Sequence, residues 1–152
     1  MYKFIIFFIF SILNFNAFSE TKVSIIGPCS KDVLFSKTYE DFPSNWAVGD
    51  ISLDFFNELS IPYAGSREGI QQLISIPSDD NELIILSDRE MLAYGWCYQI
   101  NGETPEEYPH KIQVLPGDQI LWYFAYSRYL EGKWVSQCKP SFQMPRPEFC
   151  EL

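Results

Sequence analysis

One histidine, several sets of neighbouring carboxylates, four cysteines and a surplus of aromatic rings are the groups in this chain with chemistry to offer. His110 titrates near neutrality when unperturbed and sits in the run Glu106-Glu107-Tyr108-Pro109-His110. As a general base it would need a positioned nucleophile. Ser127 and Ser136 are available by count, but no serine lies in a G-x-S-x-G elbow. The carboxylates Asp79-Asp80, Glu106-Glu107 and Asp88 with Glu90 are sequence neighbours, and such neighbours are normally solvated. A glycosidase pair must instead face across a cleft. The Ser78 to Glu82 loop carries oxygen ligands without the spacing of a calcium loop. No residue is therefore nominated as catalytic, no cofactor or metal is expected, and the chain reads as a non-enzyme. A weak hydrolase built on His110 is the third reading.

Cys29, Cys97, Cys138 and Cys150 make an even set. In an oxidising compartment the first reading is two disulfides, with one disulfide plus free thiols as the alternative. No C-x-x-C occurs, and His110 is close to none of the four, so a metal site is disfavoured. The compartment follows from residues 1–19, where Lys3 precedes an apolar stretch from Phe4 to Leu13 and then Asn16-Ala17-Phe18-Ser19. This is the pattern of a secretory signal peptide cleaved before Glu20. The apolar core is shorter than the ~20 residues of a membrane span. The expected location is secreted or periplasmic, with no membrane span once the leader is removed.

Removing 19 of 152 residues leaves 133, enough for one domain with a real core. The formal charge of −9 becomes −10 when Lys3 leaves, and the acidic residues are spread over many short clusters. Such a surface repels nucleic acid and anionic lipid. The expected state is a monomer.

Alternation and turn residues define the elements. Thr21 to Ile26 reads as a strand ending at Gly27-Pro28, and Val33 to Tyr39 as its hairpin partner. Ile51, Phe55, Phe56 and Leu59 share one face at helical spacing, with Asp50 or Ser52 as the cap and Pro62 limiting extension. Ile70, Leu73, Ile74 and Ile76 allow either a short helix or a strand. Leu83 to Leu86 reads as a buried strand. Trp96, Tyr98 and Ile100 alternate, as do Ile112 with Val114 and the series Ile120, Trp122, Phe124, Tyr126. Asn101-Gly102 and Pro116-Gly117-Asp118 supply turns. These elements amount to four to six strands and one good helix. Residues 127–152 show little periodicity, hold Pro140, Pro145 and Pro147, and read as a tail that must be tied covalently to a domain spanning 20–126.

Trp96, Tyr98, Trp122 and Phe124 are expected in the core. Tyr123, Tyr126, Tyr129 and Trp134 exceed what one face of a small domain can bury. Either they form an aromatic surface for a protein partner or a flat small molecule, or the tail folds over them.

Gly95-Trp96-x-Tyr98-x-Ile100-Asn101-Gly102, followed by Val114-Leu115-x-Gly117-Asp118-x-Ile120-x-Trp122-Tyr123, resembles the transcobalamin-like C-terminal domain family, and Val48 to Phe56 is similar to that family's helix start. The likeness covers roughly residues 21–126. Cys97 and the cysteine-bearing tail depart from the family pattern. The resemblance implies an α+β, β-grasp-like domain: a mixed sheet packed on one main helix, with a disulfide-tethered C-terminal tail. It also implies that the strand ending near Tyr126 runs parallel to the first strand, which would make Cys29, Cys97 and the root of the tail neighbours. Bonds Cys97 to Cys138 and Cys29 to Cys150 then follow, in preference to Cys138 to Cys150 with Cys29 to Cys97. In vertebrate cobalamin carriers a domain of this type covers one face of the vitamin beside a large helical domain that this chain lacks. Corrinoid carriage is accordingly the alternative function, and an exported, non-enzymatic interaction domain the first.

Overall fold

The hairpin anticipated at the start of the domain is present: β1 (Thr21–Ile26) pairs antiparallel with β2 (Val33–Tyr39), in a computed structural model that describes residues 19–77 and 82–150. All but Ser19 of the segment 1–19 read as a signal peptide, and most of the acidic Ser78 to Glu82 loop, fall outside the described residues. Helix α1 (Val48–Glu58) follows, two residues earlier than its apolar spacing suggests. Its N-cap is Ala47, and Asp50 stands one turn in, where its carboxylate accepts the Ala47 N–H at 2.9 Å and sits at the positive end of the helix. Ser52 is not a cap either: its hydroxyl accepts the Trp122 indole N–H at 2.8 Å.

The ambiguous stretch after α1 is a small hairpin of its own, β3 (Tyr63–Ser66) with β4 (Gly69–Leu73). Next come β5 (Leu83–Ser87), β6 (Glu90–Ile100), β7 (Gln119–Leu130) and β8 (Lys133–Pro140). Ile112 and Val114, read as strand, instead follow a 3₁₀ turn at Pro109–Lys111. Their backbone anchors the helix entry through Val48 N–H to Ile112 O at 2.8 Å. Between β6 and β7 the chain first reverses at Asn101 and Gly102, with φ of 53° and 84°, the positive angles a two-residue hairpin turn demands.

The main sheet has the order β2-β1-β7-β6-β5, with β8 also on β7. All pairs are antiparallel except β1 with β7, which are parallel. The fold is thus α+β, a mostly sheet structure carrying one α-helix among the described residues. β7 is long enough to serve two neighbours on one edge. Lys22 to Ile26 align with Gln119 to Tyr123, and β8 takes over from Ala125 onward. The Ser141 hydroxyl closes the junction, 2.7 Å from Pro28 O and 3.0 Å from Phe124 O.

Residue parity decides burial. Tyr94, Trp96 and Tyr98 of β6 and Ile120, Trp122 and Phe124 of β7 face α1 and enclose Ile51, Phe55 and Phe56. The segment read as an aperiodic tail is a strand of the sheet, and β7 runs straight through the expected boundary at Tyr126. Beyond β8, Phe142 packs on the face away from the helix, while Phe149 enters the helix-side core 5.0 Å from both Tyr94 and Phe124. Cys29 is bonded to Cys150 and Cys97 to Cys138, so the segment is closed onto the domain at both ends.

Candidate functional site

Among the described residues no α-helix lies over the face of the sheet opposite α1, and the aromatic residues singled out by sequence divide between the two faces. Tyr126 lies on the helix side, 6.1 Å from Tyr94 by ring centroids and packed against the main core. Tyr123 points to the other face but is only 1% exposed. Its cover is non-local. Cys138 bulges out of β8 with φ of 49°, reaches Cys97 across β7 and, together with Phe142, seals the Tyr123 ring. The hydroxyls form a directed chain beneath that bond: Gln99 Nε2 donates to Thr104 Oγ1 at 3.3 Å, Thr104 lies 3.0 Å from Tyr123 Oη, and Tyr123 Oη donates to Cys138 O at 3.1 Å. Burial raises the Tyr123 phenol, opposed by the Thr104 and Gln99 hydrogen bonds. As a docking ring Tyr123 is therefore corrected: the tail it was expected to accompany hides it.

Tyr129 and Trp134 do share the uncovered face. They meet edge to face at 5.4 Å, and Trp134 is 44% exposed. The register extends them into a row that no local pattern announces. Ile85 stands opposite Met91, Met91 opposite Tyr129, and Tyr129 opposite Trp134, one side chain from each of β5, β6, β7 and β8. Leu83 opposite Ala93 makes a second, shorter row beside it. Ile85 is 73% exposed and Leu83 50%. The buried reading of Leu83 to Leu86 is overturned for this reason: β5 is an edge strand, and of its apolar residues Ile84 alone packs on the core. Ile85, Leu83 and Met91 were missed because a short apolar run has the same appearance whether it is buried on both faces or on one.

The remaining candidates are dispersed. His110 stacks on Tyr108 at 5.9 Å, and its buried Nδ1 has no hydrogen-bond partner among the described residues. Ser127 Oγ accepts the Cys138 N–H at 3.3 Å. Glu90 accepts both Arg128 Nε at 2.8 Å and Nη2 at 2.7 Å, and Glu107 pairs with Lys111 at 3.3 Å, so these carboxylates hold cations and do not confront one another across a cleft. Among the described residues, no group of three or more His, Cys, Asp or Glu side chains could hold a metal ion, and no helix is long and apolar enough to cross a membrane. Comparison of the chain with protein families, with characterised proteins and with solved structures finds no match.

Proposed function

We propose that this protein is an exported, monomeric, non-enzymatic interaction module whose contact surface is the row Ile85, Met91, Tyr129 and Trp134. The observation that carries the reading is the register, which lines up one large apolar side chain from each of four adjacent strands on the face opposite α1, beyond the end that Phe142 and Cys138 cover. Contiguous exposed apolar groups of this kind mark contact sites, and tryptophan and tyrosine dominate the energetics of such contacts. Two disulfides favour an oxidising destination. A β-grasp-like domain related to the transcobalamin-like C-terminal family remains the best description of the architecture. Its support is the parallel β1–β7 pair at the centre of the sheet and the packing of α1 on one face.

The test is photo-crosslinking from positions 85 and 134 in the exporting host, with the exposed position 59, just past the end of α1, as control. The same discrete adduct from 85 and 134, absent from 59, supports the reading. No adduct, or one equally strong from 59, removes it.

Corrinoid carriage keeps one supporting feature. The other half of the uncovered face holds a concavity of about 420 Å³ lined by Ile26, Leu121, Tyr123 and Phe142, with Lys22 and Lys31 also on its wall. Titration with cobalamin, followed by absorbance and tryptophan emission, separates the two readings.

A further inference from the structure

A second cavity, of about 300 Å³, lies between β4, β6 and the loop that leads to the Pro109–Lys111 turn, and the Cys97–Cys138 bond and Thr104 form its border with the Tyr123 side of the sheet. Trp96, Tyr98 and Trp122 line it, Pro105 and Pro109 add apolar surface, and the carboxylate-bearing residues Glu68, Glu106 and Glu107 border it.

The polar ends of all three aromatic walls are already engaged by the protein. The Trp96 indole N–H donates to Ile76 O at 2.7 Å, the Trp122 indole N–H to Ser52 Oγ at 2.8 Å, and the Tyr98 hydroxyl to Glu107 O at 2.5 Å. What the walls offer a ligand is the small part of each ring that reaches the cavity, for Trp96, Tyr98 and Trp122 are 9%, 7% and 2% exposed, and aromatic faces are electron-rich and attract cations. Glu68 and Glu106 have no cationic partner among the ion pairs of the described residues, while Glu107 has Lys111. Three carboxylates therefore meet one ammonium, and the local field is negative. Burial pushes the Tyr98 phenol up to about 12, with the Glu107 carboxylate adding to the rise.

The rim already displays the chemistry. The Lys111 ammonium lies 5.4 Å over the Tyr108 ring while it holds Glu107 at 3.3 Å, an alkylammonium between an aromatic face and a carboxylate. A hard metal cation is a poor occupant, because calcium takes six to eight oxygen ligands and these walls are aromatic and prolyl. Anions are repelled by the border, and a neutral polyol finds its hydrogen-bonding groups already used. We propose that this cavity binds a small organic ammonium cation, with its methyl or methylene groups against Trp96, Tyr98 and Trp122 and its charge facing Glu68 and Glu106.

The mature protein is titrated with choline and, separately, with its neutral carbon isostere 3,3-dimethylbutan-1-ol, with Trp96 and Trp122 emission and calorimetry as readouts. Choline is expected to bind saturably and the isostere about tenfold more weakly. E68Q/E106Q, changed at exposed positions, weakens choline and leaves the isostere unaffected; K111Q removes the competing ammonium and tightens choline. Equal binding of choline and isostere, choline affinity unmoved by E68Q/E106Q, or no saturable response up to about 10 mM choline overturns the proposal.

Discussion

The Tyr123 hydroxyl donates to the Cys138 carbonyl 3.1 Å away, directly beneath the bond that ties Cys138 to Cys97. A side chain whose sequence context reads as surface is thereby held in a small core of its own with Ile26 and Ala125. Tyr123→Phe keeps the ring and deletes that donor, leaving a partly buried carbonyl without its partner. The expected loss is about 1–3 kcal/mol, read as a lowered urea midpoint with an unchanged slope.

The two disulfides close chain segments of different length, with sequence separations of 41 for Cys97–Cys138 and 121 for Cys29–Cys150. Replacing either pair by serine is expected to cost roughly 2–5 kcal/mol, the longer closure costing about 1 kcal/mol more if chain entropy dominates. Chemical denaturation of C97S/C138S and C29S/C150S compares them. In the first variant the cover over Tyr123 loosens, so Tyr123 should become accessible to modification.

Gly49 lies in the first turn of α1, where alanine ordinarily favours a helix over glycine by about 1 kcal/mol. Here a Cβ would stand 2.1 Å from the Arg67 carbonyl oxygen in the β3–β4 turn, and backbone cannot swing aside as a side chain can. Gly49→Ala is expected to destabilise by about 1–3 kcal/mol, against its helix propensity, by thermal melting.

Alkaline pH should unfold the domain earlier than an ordinary tyrosine-bearing protein. Burial and then Glu107 push the Tyr98 phenol up to about 12, and burial followed by the Asp54 hydrogen bond and charge raises Tyr39 in the same direction. A folded value above the unfolded one favours the neutral phenol in the native state. Stability is therefore fully present below about pH 10 and is lost as pH rises through about 12. Urea midpoints measured across that window should fall, and Tyr98→Phe should make the fall shallower.

How much could be read from sequence depended on whether the partners were local. The β1–β2 hairpin, the apolar face of α1 and the Asn101-Gly102 turn were legible because alternation, helical spacing and turn chemistry operate within a few residues. β8 was not. It is an edge strand whose pairing is interrupted twice, and Cys138 leaves the ladder altogether, so its residues carry no clean period of two. The β3–β4 hairpin was ambiguous because Ile70 and Leu73 suit a helical face as well as a strand. The site was only half legible. Tyr129 and Trp134 could be picked out by their aromatic type, but Ile85 and Met91 join them only through pairings between strands distant in the chain, and Tyr123 is hidden by residues that follow it by 15 to 19 positions.

Residue-resolved hydroxyl-radical footprinting of the oxidised protein, alone and with the crosslinked partner fraction, tests the central claim most directly. Met91, Tyr129 and Trp134 should be modified in the free protein and protected in the complex, while Tyr123 stays protected in both. Strong modification of Tyr123 in the free oxidised protein, or protection on binding that spares Met91, Tyr129 and Trp134, would contradict it.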